Sequence, residues 1–277
     1  MERYNNVAFK ASHNSYDRDE SITQQLTFNY DDPSNAGCSG IELDIVQKDD
    51  DWKWSVSHGG SYNSKADKQL SAYLQQIVDW RTSESGYDYD RVINIYLDIK
   101  NKHMSENEFP DQIDDYIKNI IDEDTIFKPN ELIGDKDDLV SGAQTTGWPD
   151  LDSLKSKYII CFSGDEDRKR RYAGNNPKKR LCFSDKYLET NPPEYPDFEK
   201  GTRVFMNYHL YQKYYDKWHE QIRNMVDQPG FITRGYVLNS QEIWIKAQNA
   251  GVNIMATDKV CNHSWARNGD YPFKTIS

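Results

Sequence analysis

The chain of 277 residues carries 34 Lys and Arg against 45 Asp and Glu, a formal charge of −11. That is the wrong sign for a protein that displaces counterions from nucleic-acid phosphates or adheres broadly to anionic membrane. Mean hydropathy is −0.92, and no run approaches the ~20 apolar residues of a membrane span. The 13% of aromatic residues supply large core pieces and argue against a disordered chain. Short apolar runs alternate with longer amphipathic stretches. In chain order, strands are predicted at Val7–Ala11, Gly40–Val46 and Trp54–Ser57, then a helix at Ala66–Trp80. A strand at Val92–Ile99 and a helix at Glu108–Ile121 follow, then strands at Tyr158–Phe162 and Thr202–Met206. The chain closes with a helix at Tyr211–Val226, a strand at Gly235–Leu238, a helix at Ser240–Ala250 and a strand at Val252–Ala256. Ser240 is suited to cap the last helix and Gly251 to stop it. The segment from about Lys128 to Lys200 reads as loop-rich.

With no internal repeat and no Pro/Ser linker, residues 1–277 are expected to form one domain, either a closed β/α barrel or an open α/β sheet. The opening Met1-Glu2-Arg3-Tyr4 lacks the pattern of a leader. The expectation is therefore a cytoplasmic protein, or a secreted one whose leader has been removed. Four cysteines, Cys38, Cys161, Cys182 and Cys261, stand far apart without a Cys-x-x-Cys. They form neither a small disulfide scaffold nor a cysteine zinc site.

In a barrel the chemistry sits just past the C-terminal ends of the strands, and several polar groups meet that test. The first strand runs into Ser12-His13-Asn14-Ser15-Tyr16. The second holds Glu42-Leu43-Asp44, and the third is followed by His58-Gly59-Gly60. The fourth ends in Asp98-Ile99-Lys100-Asn101, and the last in Thr257-Asp258-Lys259. Residues at i and i+2 of a strand share a face. Glu42 and Asp44 thus place two carboxylates on one inward face, costly to bury unless a hard divalent cation offsets them. Asp98 and Lys100 share a face in the same way, and Asn14 offers an amide oxygen beside His13. Two histidines on different loops, His13 and His58, suit paired proton removal and donation near neutral pH. The set favours phosphodiester cleavage over acyl transfer. No Gly-x-Ser-x-Gly elbow, Gly-x-Gly-x-x-Gly turn or P-loop is present. Singly, each group has a structural reading: a histidine in the core, or carboxylates in an ion pair. Together, five polar groups at five strand ends favour function.

The motifs His13-Asn14-Ser15-Tyr16, Gly40-Ile41-Glu42-Leu43-Asp44 and Val56-Ser57-His58-Gly59 resemble, in order and spacing, the phosphatidylinositol-specific phospholipase C-like phosphodiesterases. Trp148-Pro149-Asp150-Leu151 leading to Tyr158–Phe162 is similar to the calcium-dependent microbial branch. So are Arg234-Gly235-Tyr236-Val237 and Gly251–Asp258. The resemblance implies a distorted (β/α)8 barrel of TIM type. It implies His13 as general base and His58 as general acid, with Asn14, Glu42, Asp44 and a carboxylate from the Asp98 strand as calcium ligands. Lys100, Arg234 and Asp258 are implied to face the substrate and its phosphate. Calcium, with magnesium as the alternative, is the implied cofactor, and a phospholipid or soluble phosphodiester the implied substrate; peripheral membrane contact is left open, while charge and hydropathy argue against nucleic acid and a spanning segment. The reaction implied is attack of a neighbouring hydroxyl to give a cyclic phosphate. Asp98-x-Lys100 departs from the animal phospholipases, which carry Glu in place of Lys100. It is similar to the Glu-x-Lys of glycerophosphodiester phosphodiesterases, whose His-Arg-Gly differs from His13-Asn14-Ser15. Glycerophosphodiester or sphingomyelinase D-like activity is the alternative, and a non-catalytic barrel that binds a phosphorylated ligand is the alternative of another class.

Two further features are expected to be structural. Arg168-Lys169-Arg170-Arg171 and Lys178-Lys179-Arg180 read as a solvated basic loop rather than an anion contact. Tyr208, Tyr211, Tyr215 and Trp218, at helical spacing, read as a helix packed on the sheet rather than an interfacial stripe.

Overall fold

The computed structural model describes residues 2–27, 37–48, 53–58, 69–83, 90–100, 105–188, 201–210, 215–266 and 274–275. Its strands are β1 (Val7–Ser12), β2 (Gly40–Lys48), β3 (Lys53–Val56), β4 (Ile93–Ile99), β5 (Tyr158–Gly164), β6 (Phe183–Leu188), β7 (Phe205–His209), β8 (Ile232–Tyr236), β9 (Ile254–Thr257) and β10 (Lys274–Thr275). All but β3 and β10 run parallel in the order β1-β2-β4-β5-β6-β7-β8-β9, and β9 returns to β1, so eight strands close a barrel. The closed β/α barrel, one of the two architectures expected, is the one found. β3 extends β2 antiparallel outside the wall, and β10 pairs antiparallel with β1. β1 meets β9 over four register pairs, Phe9↔Ile254 to Ser12↔Thr257, but meets β2 at the single pair Ala11↔Gly40. Gly40 permits this approach, since a Cβ there would lie 2.6 Å from the Cβ of Ala11.

Eight α-helices lie among the described residues: α1 (Ile22–Leu26), α2 (Leu70–Ser83), α3 (Phe109–Lys118), α4 (Pro129–Ile133), α5 (Leu139–Thr145), α6 (Glu166–Gly174), α7 (Tyr215–Val226) and α8 (Gln241–Ala250). In α2 the buried residues Leu70, Tyr73, Leu74, Ile77 and Trp80 recur at helical spacing. They pack with Ile41, Leu43 and Ile45 of β2 and with Ile93, Ile95, Leu97 and Ile99 of β4. The alternate residues of those strands face the interior. There Phe9, Ala11, Tyr96, Cys161, Phe183, Phe205, Ile232 and Ile254 form the core of the barrel floor. The outward Ile and Leu therefore hold the wall to its helices, and the inward Glu42, Asp44 and Asp98 are left to the barrel mouth. α8 starts and stops where the sequence predicts: Ser240 Oγ accepts from the Ile243 N–H, and Gly251 has φ 87°.

Other elements depart from expectation. The seventh strand lies at Phe205–His209 rather than Thr202–Met206, and the eighth at Ile232–Tyr236 rather than Gly235–Leu238. Both place a buried polar residue, Asn207 or Arg234, mid-strand, which interrupts the apolar run that signals a strand. The middle segment, expected to be loop-rich, holds α4, α5, α6 and β6 as well as β5. Arg168-Lys169-Arg170-Arg171 is not a loop but part of α6, capped by Asp165. Lys169 is sealed from solvent, with Nζ 2.6 Å from Asp185 and 3.2 Å from Glu166. Arg180 is likewise buried, 2.7 Å from Asp111 and 3.1 Å from Asp114. Buried charges hide the inward face of such a helix from any pattern based on hydropathy. Tyr208 belongs to β7, and Trp218 is buried on α7. Of the expected stripe, Tyr208 and Trp218 thus belong to the core, the first on a strand rather than a helix; Tyr211 and the side chain of Tyr215 lie outside the described residues. All four cysteines are free thiols.

Candidate active site

His13 follows β1 directly, and its N–H is fixed by the Thr257 carbonyl at 3.0 Å. Its Nδ1 lies 2.7 Å from Asp258 Oδ1. Asp258 is itself held: the Asn239 side-chain amide donates to Oδ2, Asn239 Oδ1 accepts from the Asp258 N–H at 2.8 Å, and Arg18 Nη1 approaches Oδ1 to 3.4 Å. Burial pushes the Asp258 pKa up, but the His13 hydrogen bond and the His13 and Arg18 charges outweigh it and hold the carboxyl below its ordinary value. A carboxylate at Nδ1 fixes the tautomer with its proton there, which leaves Nε2 to accept one. Nε2 faces Glu42, with Oε2 3.8 Å away.

Glu42 sits at the centre of the mouth. Its Oε2 accepts the Asn14 backbone N–H at 3.1 Å and lies 3.0 Å from Arg234 Nη2. Arg234 is buried, reaches Asn207 Oδ1 at 3.0 Å, and lies over the Tyr96 and Tyr236 rings. Burial works to raise the Glu42 pKa; the Arg234 and His13 charges and the Asn14 N–H reverse the sign and lower it. Asp44, two residues on, accepts from the Tyr16 hydroxyl at 2.8 Å through Oδ2. Lys100 Nζ stands 3.3 Å from the same oxygen and 3.0 Å from Asp98 Oδ2. His58, past β3 and 68% exposed, has Nε2 4.0 Å from Asp44 Oδ2. Burial, then the Asp98 charge, raises Asp44 to a pKa of about 7, and burial raises Asp98 too.

Glu42, Asp44 and Asp98 each offer an oxygen within 4.8 Å of the others. Asp44 Oδ1 and Asp98 Oδ1 are buried with no hydrogen-bond partner among the described residues. Three hard oxygen donors, two carrying an unsatisfied atom, fit a calcium-sized cation. Asp98 Oδ1 is seated against Gly164 (φ 82°), where a Cβ would come within 2.2 Å of it.

The structure therefore brings together His13, Glu42, Asp44, Asp98, Lys100, Arg234 and Asp258, with His58 at the rim. Asn14 joins through its backbone N–H, at φ 46°. Arg234 and Asp258, expected among phosphate-facing groups, have their charged atoms against Glu42 and His13. Gly59, Gly60 and Asn101 lie outside the described residues. The sequence assigns no individual role to Tyr16, Arg18, Asn207, Tyr236, Asn239 or His209, although Tyr16 and Tyr236 lie in its motifs. Tyr236 stacks on His13 at 5.4 Å and on His209 at 4.6 Å between ring centroids, and its hydroxyl meets that of Tyr187 at 3.4 Å. Tyr236 is two residues beyond Arg234 and His209 two beyond Asn207, so the i, i+2 rule would have found both had the strands been placed correctly.

Burial, and after it the His13 charge, pushes His209 from 6.5 down to about 4. Its imidazole is therefore neutral in the folded protein where the unfolded chain would take up a proton. Its contribution to stability is full above pH 6.5 and is lost as the pH falls toward 4. An NMR titration should show His209 unprotonated at pH 5, and His209→Asn should lose less stability than wild type over that interval. A His209 midpoint near 6.5 would contradict this.

A parallel barrel with histidines and an acidic triad at its C-terminal mouth has the parts that metal-assisted phosphodiester cleavage requires. Residues 58–196, half of the chain, match the family described as phosphoinositide phospholipase C, Ca2+-dependent, and the chain belongs to that family of phosphoric diester hydrolases. Among solved structures it is similar to the calcium-dependent phosphoinositol-specific phospholipase C of a Gram-negative Pseudomonas species in its myoinositol complex. Identity is 18%, coverage 96% of this chain and 94% of that one, and the TM-score 0.72. The Ca2+-dependent phosphatidylinositol-specific phospholipase C of Streptomyces antibioticus gives 15%, 93% and 95%, and 0.71. A phosphodiesterase of Oleispira antarctica, in complex with the product sn-glycerol-3-phosphate, gives 10%, 92% and 94%, and 0.55. No curated protein matches the chain. No helix among the described residues is long and apolar enough to cross a membrane.

Proposed function

We propose that the protein cleaves a phosphoinositide or a related phosphodiester by the phospholipase C route. The observation that supports this most is that two histidines flank one acidic triad. His13 Nε2 lies 3.8 Å from Glu42 on one side, and His58 Nε2 lies 4.0 Å from Asp44 on the other. His13 takes the proton of the hydroxyl next to the phosphate at Nε2, while Asp258 stabilises the imidazolium through Nδ1. The hydroxyl oxygen bonds to phosphorus as the leaving oxygen departs with a proton from His58, and the product is a cyclic phosphate. Water then opens the ring with the two roles exchanged. Glu42, Asp44 and Asp98, with the side-chain oxygen of Asn14 as the further donor that the resemblance implies, would hold calcium, which when bound supplies positive charge to the phosphoryl oxygens.

A second reading, hydrolysis of a glycerophosphodiester, is favoured by the Lys100–Asp98 contact of 3.0 Å. Phosphorus NMR of phosphatidylinositol and of glycerophosphoinositol turned over with calcium separates the two. Transient inositol 1,2-cyclic phosphate is expected from the lipid. Glycerol phosphate with no cyclic product from either substrate would replace the first reading by the second.

A further inference from the structure

Among the described residues, a lysine and an arginine stand on the acidic triad, and they are not equivalent. Arg234 is 2% exposed, bound to Glu42 and Asn207 and enclosed between Tyr96 and Tyr236. It has nowhere to go. Lys100 is 26% exposed, and its Nζ touches the other two carboxylates through Asp44 Oδ2 and Asp98 Oδ2. Its backbone is pinned, because the Lys100 N–H donates to the Ile45 carbonyl at 2.9 Å. Only the flexible four-carbon stem is free to move. The ammonium is thus a counter-ion carried by the chain itself, seated on two of the three groups that a metal would need and open toward solvent.

We propose that Lys100 and calcium compete for Asp44 and Asp98, so that Lys100 lowers the calcium affinity of this protein and is released from the carboxylates when the cation binds. The proposal rests on the reading of Glu42, Asp44 and Asp98 as the cation site. A divalent ion ~2.4 Å from those oxygens would lie within a few ångströms of the ammonium and repel it. The released ammonium remains tethered at the mouth, where the substrate phosphate must enter. By linkage, an anion that engages the freed Lys100 strengthens calcium binding, and calcium strengthens binding of the anion.

The test is calcium titration by calorimetry of wild type, Lys100→Met and Lys100→Arg at one pH and ionic strength. Lys100→Met is expected to bind calcium at least tenfold more tightly than wild type, although its turnover falls; Lys100→Arg should stay close to wild type. Affinity unchanged or weakened in Lys100→Met overturns the proposal and leaves the metal site standing. No binding in wild type or in either variant overturns the metal site itself. A measurement on wild type alone guards against a Lys100→Met protein that does not fold. Acylation of Lys100 by a small amine-reactive reagent, mapped by mass spectrometry, is expected to rise at least threefold when calcium is added. A fall, or no change, overturns the proposal.

Discussion

His13→Ala is expected to lower kcat by roughly 100- to 10,000-fold, the range for loss of a positioned acid–base group, in a protein that still folds and still binds calcium. The fold survives because His13 lies past the end of β1, and the backbone hydrogen bond from its N–H to Thr257 does not depend on the side chain. Calcium binding survives because the histidine contributes none of the triad oxygens. Asp258→Asn should share much of the loss. An amide at 2.7 Å from Nδ1 no longer fixes one tautomer or stabilises the imidazolium. The pair should be non-additive: once His13 is gone, Asp258→Asn costs little more. Wild-type turnover in His13→Ala would remove it from the mechanism, and full additivity would separate Asp258 from it.

Glu42→Ala should damage stability as well as metal binding, and the two losses can be separated. Its Oε2 lies 3.0 Å from a guanidinium that is itself buried. Removing the carboxylate leaves that charge without its counter-ion, a change that typically costs about 3–5 kcal/mol. A cut in thermal midpoint of many degrees is expected with or without calcium. Glu42→Gln keeps the shape and an oxygen acceptor for the Asn14 N–H, so it should fold better than Glu42→Ala while losing calcium affinity by at least ~10-fold, or about 1.4 kcal/mol. Thermal denaturation beside calorimetry distinguishes the effects. Glu42→Ala as stable as wild type would show that Arg234 does not depend on it, and full calcium affinity in Glu42→Gln would take Glu42 out of the cation site.

How far the sequence could be read depended on what each face had to bury. Where the outward face of a strand meets helices, as at Ile41, Leu43 and Ile45, alternation is clear and Glu42 and Asp44 stand out as the inward pair. Where the inward face carries the site, polar residues replace the apolar ones that mark a strand. Asn207 and Arg234 displaced the strands predicted at Thr202–Met206 and Gly235–Leu238 for that reason. Tyr236 and His209 therefore received no role in the site. The middle of the barrel was illegible for a related cause: Lys169 and Arg180 lie buried against Asp185 and Asp114, where a hydropathy pattern expects solvent. The partners of individual groups were also out of reach. Asp258 is separated from His13 by most of the chain, and only closure of the barrel brings it to Nδ1.

The single register pair between β1 and β2 has a consequence of its own. One backbone pairing would be a poor closure for an eight-stranded wall, and side chains reinforce it just above: Ser15 Oγ accepts the Glu42 N–H at 2.9 Å, and the Asn14 N–H reaches Glu42 Oε2. The groups that stitch this seam are the neighbours of His13 and the carboxylate it faces. Under the proposed mechanism, the contacts that close the cylinder are also those that set His13 against Glu42, so a molecule whose seam has parted is expected to lose its turnover.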